Sequence, residues 1–370
     1  LVSVFAPNAT VMLASRVLQG IAGAMLFSTG TALLTSVFPP QERGRVLGNS
    51  VTAVYLGLAV GPFAGGFLTQ HLGWRGIFVV NFLLGAILVA VTMARLRGEW
   101  AEAHGESFDT RGALMYGAAL IMLMFGCSRL AQPTGMGLAT LGLLGLAGFI
   151  YWETRTPSPV LEVSLFRANP VFTFSSLAAL IHYAATFAVT FILSLYLQTS
   201  KGMSPQQSGL VLVAQPAMMA LFSSLAGRLS DRIEPRFLAS AGMSVTTLGI
   251  FFFSFLHAST PISLVIGNLL MLGVGFAFFS SPNANAVMSS LDKRRLGIGS
   301  GILGTMRLLG QNLSMGVVMM ILALYLGPRA VGPETQAEFL QSLQHTFRLF
   351  AVFGVLGVLA SLVRGRMRPQ

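Results

Sequence analysis

Three ionisable side chains stand inside long apolar stretches of this sequence: Arg16 after Met-Leu-Ala-Ser, His182 in Ala-Leu-Ile-His-Tyr, and Arg307 in Gly-Thr-Met-Arg-Leu-Leu. In an apolar medium such groups are expensive. An arginine at mid-membrane depth costs at least about 2.5–3.5 kcal/mol on insertion scales, so it faces a bundle interior, a wet cavity or an acceptor on another helix. Each arginine therefore has two readings, a part in a transport pathway or an interhelical hydrogen bond. His182, with an ordinary pKa of about 6.5, could switch protonation in a pathway, or could simply bond one helix to another. Uncharged polar residues add to the set. Gln215 precedes the helix-breaking Pro216, Asn283 and Asn285 follow Pro282, and Gln311 lies one helical turn beyond Arg307 on the same face. Each is a candidate for a cavity or for packing between helices. The position of the two asparagines near the end of their apolar run favours packing at a gate over contact with a substrate.

These residues need long apolar elements to carry them. Hydrophobic residues make up 54% of the 370 and charged residues only 9%, against about 25% charged in an ordinary soluble domain. A bilayer core about 30 Å thick takes roughly 20 apolar residues in a helix. Eleven runs qualify, at 10–38, 46–70, 75–96, 111–129, 135–153, 170–198, 205–227, 236–257, 261–283, 297–326 and 346–364. They are continuous rather than alternating, which predicts helices and not barrel strands. The fold class expected is an all-α integral membrane bundle. The longer runs should tilt or extend beyond the bilayer.

The loops give the orientation. One alternate set holds Arg43, Arg45, Arg95, Arg97, Arg111, Arg155, Arg167, Arg228, Arg232, Arg236, Lys293, Arg294, Arg295, Arg364, Arg366 and Arg368. The other holds Arg75, Arg129, Lys201 and Arg329. The sixteen-to-four bias puts the first set, and the C-terminus, in the cytoplasm. Arg348, near the start of the last run, is expected to snorkel. The formal net charge of +11 does not imply nucleic acid, because the basic residues are spread over loops rather than gathered in one patch. The chain opens on Leu-Val-Ser-Val-Phe-Ala-Pro with no charged segment before it. That is no signal peptide, and it predicts the tail of a helix that begins upstream.

Other chemistries find little support. The five histidines, His71, His104, His182, His257 and His345, are scattered and form no metal-ligand spacing. A membrane-embedded acyl or glycosyl transferase would need His, Asp or Glu clustered at a membrane face. All twelve acidic residues fall in loops or at the ends of runs, with Glu153 and Asp231 nearest to a span. The lone Cys127 excludes an internal disulfide and reads as a small buried hydrophobe.

One string is more specific. Gly57-Leu-Ala-Val-Gly61-Pro62-Phe-Ala-Gly65-Gly66 sets glycines four apart on one helix face, which would let another helix approach closely, and Pro62 favours a kink. It resembles the antiporter motif on the fifth helix of major facilitator superfamily exporters. Arg16-Val-Leu-Gln19-Gly20-Ile-Ala-Gly-Ala is similar to the arginine motif of that family's fourth helix. Between them, Phe38-Pro-Pro-Gln-Glu42-Arg43-Gly-Arg45 resembles the cytoplasmic link of those helices. Trp74-Arg75-Gly-Ile-Phe-Val-Val-Asn81 resembles the start of the sixth. In the second half, Gly227-Arg228-Leu-Ser-Asp231-Arg232-Ile-Glu-Pro-Arg236 resembles the family's cytoplasmic loop motif. Glu234 departs from it where a second glycine is usual, and Pro235 where a basic residue is. Gly227, Asp231 and Arg232 keep their places, so the resemblance implies a cytoplasmic charge latch.

The resemblance covers essentially the whole chain. It implies a major facilitator-type bundle of two pseudo-symmetric helical halves with two extra central helices, as in the fourteen-helix drug:proton antiporter branch. Residues 1–97 would be the remainder of the N-terminal half, 98–165 the extra pair with its loops, and 166–370 the C-terminal half. About three helices would lie upstream, with the aspartate motif associated with proton coupling. The implied function is export of amphipathic small molecules in exchange for protons by alternating access. The proton gradient would be the energy source, with no cofactor and no metal. The implied location is the inner cell membrane, with a periplasmic adaptor as a further candidate partner. A carrier for one lipid, siderophore or metabolite is the alternative within transport. A non-transporting scaffold or sensor is the alternative outside it.

Overall fold

The computed structural model describes residues 2–95, 109–327 and 329–365, apart from the side chains at 62, 63, 66, 70 and 333. Arg97, Arg366 and Arg368 of the expected basic loops lie outside the described residues. Among the described residues the regular elements are all helices: α1 (Ala9–Val37), α2 (Arg43–Leu72), α3 (Trp74–Arg95), α4 (Thr110–Cys127), α5 (Pro133–Glu153), α6 (Val163–Ala168) and α7 (Pro170–Thr186). Then come α8 (Val189–Thr199), α9 (Pro205–Leu212), α10 (Ala214–Ser230), α11 (Pro235–Phe253), α12 (Ile262–Ser289), α13 (Leu296–Leu326) and α14 (Gln336–Val363).

Local chemistry starts these helices. Asn8 and Asp109 accept the N–H of Val11 and Gly112, satisfying donors that a first helical turn leaves free. Ser204 and Gln207 form a reciprocal capping box at α9. Proline occupies the first turn of α5, α7, α9 and α11, where its missing N–H costs nothing. Between α2 and α3 the chain reverses at Gly73, whose φ of 71° is open to glycine.

Ten stretches among the described residues are long and apolar enough to cross a membrane. α2, at the second expected run, is a continuous helix of 30 residues. Two runs are interrupted. The run 170–198 breaks between α7 and α8, where Ala188 turns its N–H to the hydroxyl of Ser314 on α13 at 3.0 Å. The run from 205 breaks at Val213, because Pro216 has no N–H to give to the carbonyl of Leu212. α14 begins ten residues before the expected run at 346, so Arg348 stands inside a helix, exposed, rather than at its end.

Packing follows the small residues. α2 runs along α10, α10 and α11 flank α12, α7 lies against α13 and α14, and α1 rests on α13. The largest apolar cluster joins α8, α11, α12, α13 and α14 around Tyr196, Phe253, Phe347 and Phe350. α4 and α5 form a tight hairpin. Gly126 meets the backbone of Ala139, and Gly142 meets that of Leu123. This pair, central in sequence, leans on the outer side of α13 through a 3.2 Å bond from the Tyr116 hydroxyl to Thr305. Gly316 also packs on the Cys127 carbonyl. Cys127 is free and buried, as expected.

Candidate central cavity and gate

At the end of the bundle where α2 starts and α10, α12 and α14 finish, the chain crosses between its two halves. The carboxylate of Asp231, just past α10, accepts the N–H of Gly44 at 2.7 Å and that of Arg45 at 2.8 Å. Those donors belong to the first turn of α2, whose N-cap residue Glu42 makes no side-chain capping bond. A side chain from the second half thus supplies the anion that the positive end of a helix favours. The approach is close because Gly227 packs directly on Gly44 and on the Cα of Gly48. A Cβ on Gly48 would stand 2.7 Å from the Ser223 carbonyl oxygen and 3.0 Å from the Gly227 Cα. Asn285 of α12 completes the joint, donating to the Ser230 carbonyl at 3.2 Å and to its hydroxyl at 3.0 Å. Burial pushes the Asp231 carboxyl above the ordinary aspartate range, while the two N–H groups and Arg45 pull it back. Of the expected latch residues, Gly227 and Asp231 make the contact. Arg232 is exposed and does not, because the partner of Asp231 is backbone rather than a basic side chain.

A second joint lies beside it. Arg364, expected as a cytoplasmic loop charge, is instead 1% exposed. It donates to the Ser175 hydroxyl and Asn283 Oδ1, both at 3.1 Å, and to the Pro235 carbonyl at 2.9 Å. One guanidinium fork therefore ties the end of α14 to α7, α11 and α12. Burial pushes its pKa down to about 10. Asn283 gives its Nδ2 hydrogen to the Ser175 carbonyl, so both ends of its amide are spent on packing.

Above these joints is a cavity of about 120 Å³. α1 and α2 wall one side, with α7, α12 and α13 on the other. Arg307 enters it from α13 with its guanidinium 4.0 Å from the Phe27 ring centre. Its Nε is buried without a hydrogen-bond partner. Tyr55, Tyr183, Phe279 and Asn283 also line the space. The Tyr55 hydroxyl stands 3.5 Å from that of Ser280. His182 belongs to the wall behind, its ring 4.0 Å from that of Phe279 and 4.7 Å from that of Phe276, with Nε2 unpartnered.

The other expected site residues are dispersed. Gln215 is buried in α10 away from the cavity, its Oε1 without a partner. Gln311 is half-buried, and no bond joins it to Arg307 among the described contacts. Arg16 is exposed, donates to Gln19 Oε1 at 2.8 Å and lies 4.6 Å over the Phe78 ring. Gly20, Gly57, Gly61 and Gly65 face open space, with nothing described within 4 Å of an added Cβ. The close helix approach in this structure falls instead on Gly44, Gly48 and Gly227. Pro62 and Gly66 lie within α2, and their surroundings are outside the described residues. Sequence reasoning passed over Tyr55 and Tyr183. Their signal was available, as hydroxyls within apolar runs.

The sequence matches the family description Major Facilitator Superfamily over residues 1–315 and again over 175–370. It is 28% identical over 303 residues to the riboflavin transporter RibZ of Clostridioides difficile (strain 630), covering 81% of this chain and 65% of that one. It is 28% identical over 328 residues to the multidrug resistance protein Stp of Mycobacterium tuberculosis, covering 87% of this chain and 60% of that one. The chain thus spans about two thirds or less of the length of these relatives. The crystal structure of a bacterial homologue of the human lysosomal transporter Spinster, inward-facing and occupied, superposes with a TM-score of 0.52. That match covers 92% of this chain and 75% of the other at 16% identity, a likeness of fold.

Proposed function

We propose that this chain, which belongs to the major facilitator superfamily, is part of a membrane transporter that exports amphipathic compounds in exchange for protons by alternating access. The observation that carries this reading is the pairing of a central cavity, walled by both helical halves, with a gate closed on one side of it by Asp231 and Gly227. Breaking the Asp231 joint would part α2 from α10 and open the cavity at that end. The excess of basic residues in the loops on this side supports a cytoplasmic position for the gate, and a gate closed there would belong to an outward-directed state. Arg16 is the proposed coupling element. It would lower the pKa of a carboxylate on another helix, or alternate with substrate as that group's partner.

The test is flux in vesicles. The full-length protein, reconstituted under a pH gradient, should release protons as it takes up an amphipathic dye, and Arg16→Ala should abolish that exchange while leaving the protein folded. Dye movement with no proton movement in the intact protein would sink the exchange mechanism. The similarity to a riboflavin transporter favours a second reading, a carrier for one metabolite. Competition between chemically unrelated dyes for the same flux would decide against it.

A further inference from the structure

Among the described lining residues Arg307 is the only charged group, and no carboxylate faces it. Phe27 covers one face of the guanidinium, and the buried Nε still lacks an acceptor. The neutral groups around it do not fill that need. The Asn283 amide is engaged with Ser175 and Arg364, and the Tyr55 hydroxyl is turned to Ser280. A half-buried guanidinium whose Nε is left without an acceptor attracts an anion through charge-assisted hydrogen bonds and repels a second cation. The rings of Tyr55, Tyr183 and Phe279 beside it offer flat apolar faces to an aromatic body.

The volume limits what fits in this state. Pockets for whole drug-sized ligands run from about 300 to 1,000 Å³, well above the 120 Å³ present. The space suits an ionised head with one ring. The remainder of a larger molecule would enter as the helices part.

Resting on the transport reading above, we propose that the cavity is a head-group subsite for the anionic end of an aromatic amphipathic substrate, such as a carboxylate or phenolate, held by Arg307. Cationic amphipathic compounds are then the disfavoured class. One good charge-assisted contact in such a site is worth roughly tenfold to hundredfold in affinity.

Two dyes on one xanthene frame test this. At mildly alkaline pH fluorescein is an anion and rhodamine 123 a cation. Fluorescence polarisation on the purified protein in phosphatidylcholine discs, with no gradient present, should show fluorescein binding at least about tenfold tighter. Arg307→Gln should erase that preference, and Arg307→Lys should restore part of it, since lysine keeps the charge but not the planar fork. Equal binding of the two dyes, tighter rhodamine 123, binding of neither, or a preference that survives Arg307→Gln would each overturn the proposal. The wild-type comparison stands even where a variant folds poorly. An anion preference without flux in vesicles would sink the transport reading and leave the subsite standing. Flux without the preference would do the reverse.

Discussion

The carboxylate of Asp231 caps the start of α2 through the backbone N–H of Gly44, 187 residues earlier in the chain. A helix begun by its own neighbour is capped permanently. A helix capped from the other half of the molecule is capped only while the two halves are together. Hydrogen bonds to charged groups contribute about 1.5–3 kcal/mol, so Asp231→Ala should shift the closed gate toward open by tenfold or more. A thiol reagent applied from the gate side should label Ala284→Cys, at the cavity wall, correspondingly faster in a Cys127→Ala background. Unchanged labelling would show that the cap does not hold the gate.

Two glycine substitutions on one helix should behave differently. Gly48→Leu drives a side chain into the backbone of α10 and should prevent the gate from seating. Gly61→Leu meets open space here and should leave the melting temperature unchanged. If Gly61→Leu nonetheless stops flux, its face is used by another helix during transport, as the family motif implies. A Gly48→Leu protein that closes normally would refute the crossing described.

Arg364→Ala leaves acceptors on Ser175, Asn283 and Pro235 unfilled in the interior. We expect a loss of stability on the order of 3 kcal/mol. Arg364→Lys should regain less than half of it. The exposed Arg232→Ala should change stability by no more than about 0.5 kcal/mol. Denaturant-dependent thermal unfolding in detergent compares the three, and equal midpoints for the two alanine variants would discard the structural role of Arg364.

The apolar runs were enough to place most of the helices, because a bilayer leaves a helix few alternatives, but they missed the ten residues by which α14 precedes the run at 346. Their breaks were only half visible. Pro216 announces the interruption at Val213, but nothing near Ala188 hints at one, since the cause is a hydroxyl on α13. Asp231 was legible and its partner was not, because a backbone N–H belongs to every residue and carries no sequence signal. Arg364 was misread as a loop charge. It follows an apolar run and precedes further arginines, and only three-dimensional packing separates it from them.

Acidification should release α4 locally. The N–H of Gly112 and the indole N–H of Trp152 both donate to Asp109, and the Gly112 bond foremost holds its carboxyl below the ordinary value of 3.8. A depressed folded-state pKa gives stability that is present above 3.8 and lost as pH falls through the lowered value. In a protein keeping Trp152 as its sole tryptophan, the emission should titrate with a midpoint under 3.8, and Asp109→Asn should remove the transition. A midpoint above that value would reverse the sign.

Orientation can be read with an impermeant maleimide. With Cys127 replaced, Ser200→Cys and Ala330→Cys should react from outside intact cells and Asp292→Cys should not. The opposite pattern would turn the molecule over and put the Asp231 gate on the external face.

The tie made by Arg364 also bears on biogenesis. The residue follows every helix it joins, so α7, α11 and α12 leave the ribosome before their common clasp exists. Until α14 is inserted, Asn283 Oδ1, the Ser175 hydroxyl and the Pro235 carbonyl must find water or lipid headgroups at the bilayer edge. Assembly of these helices is therefore timed by α14, and a nascent chain arrested within α14 should be held as a loose, protease-sensitive set of helices.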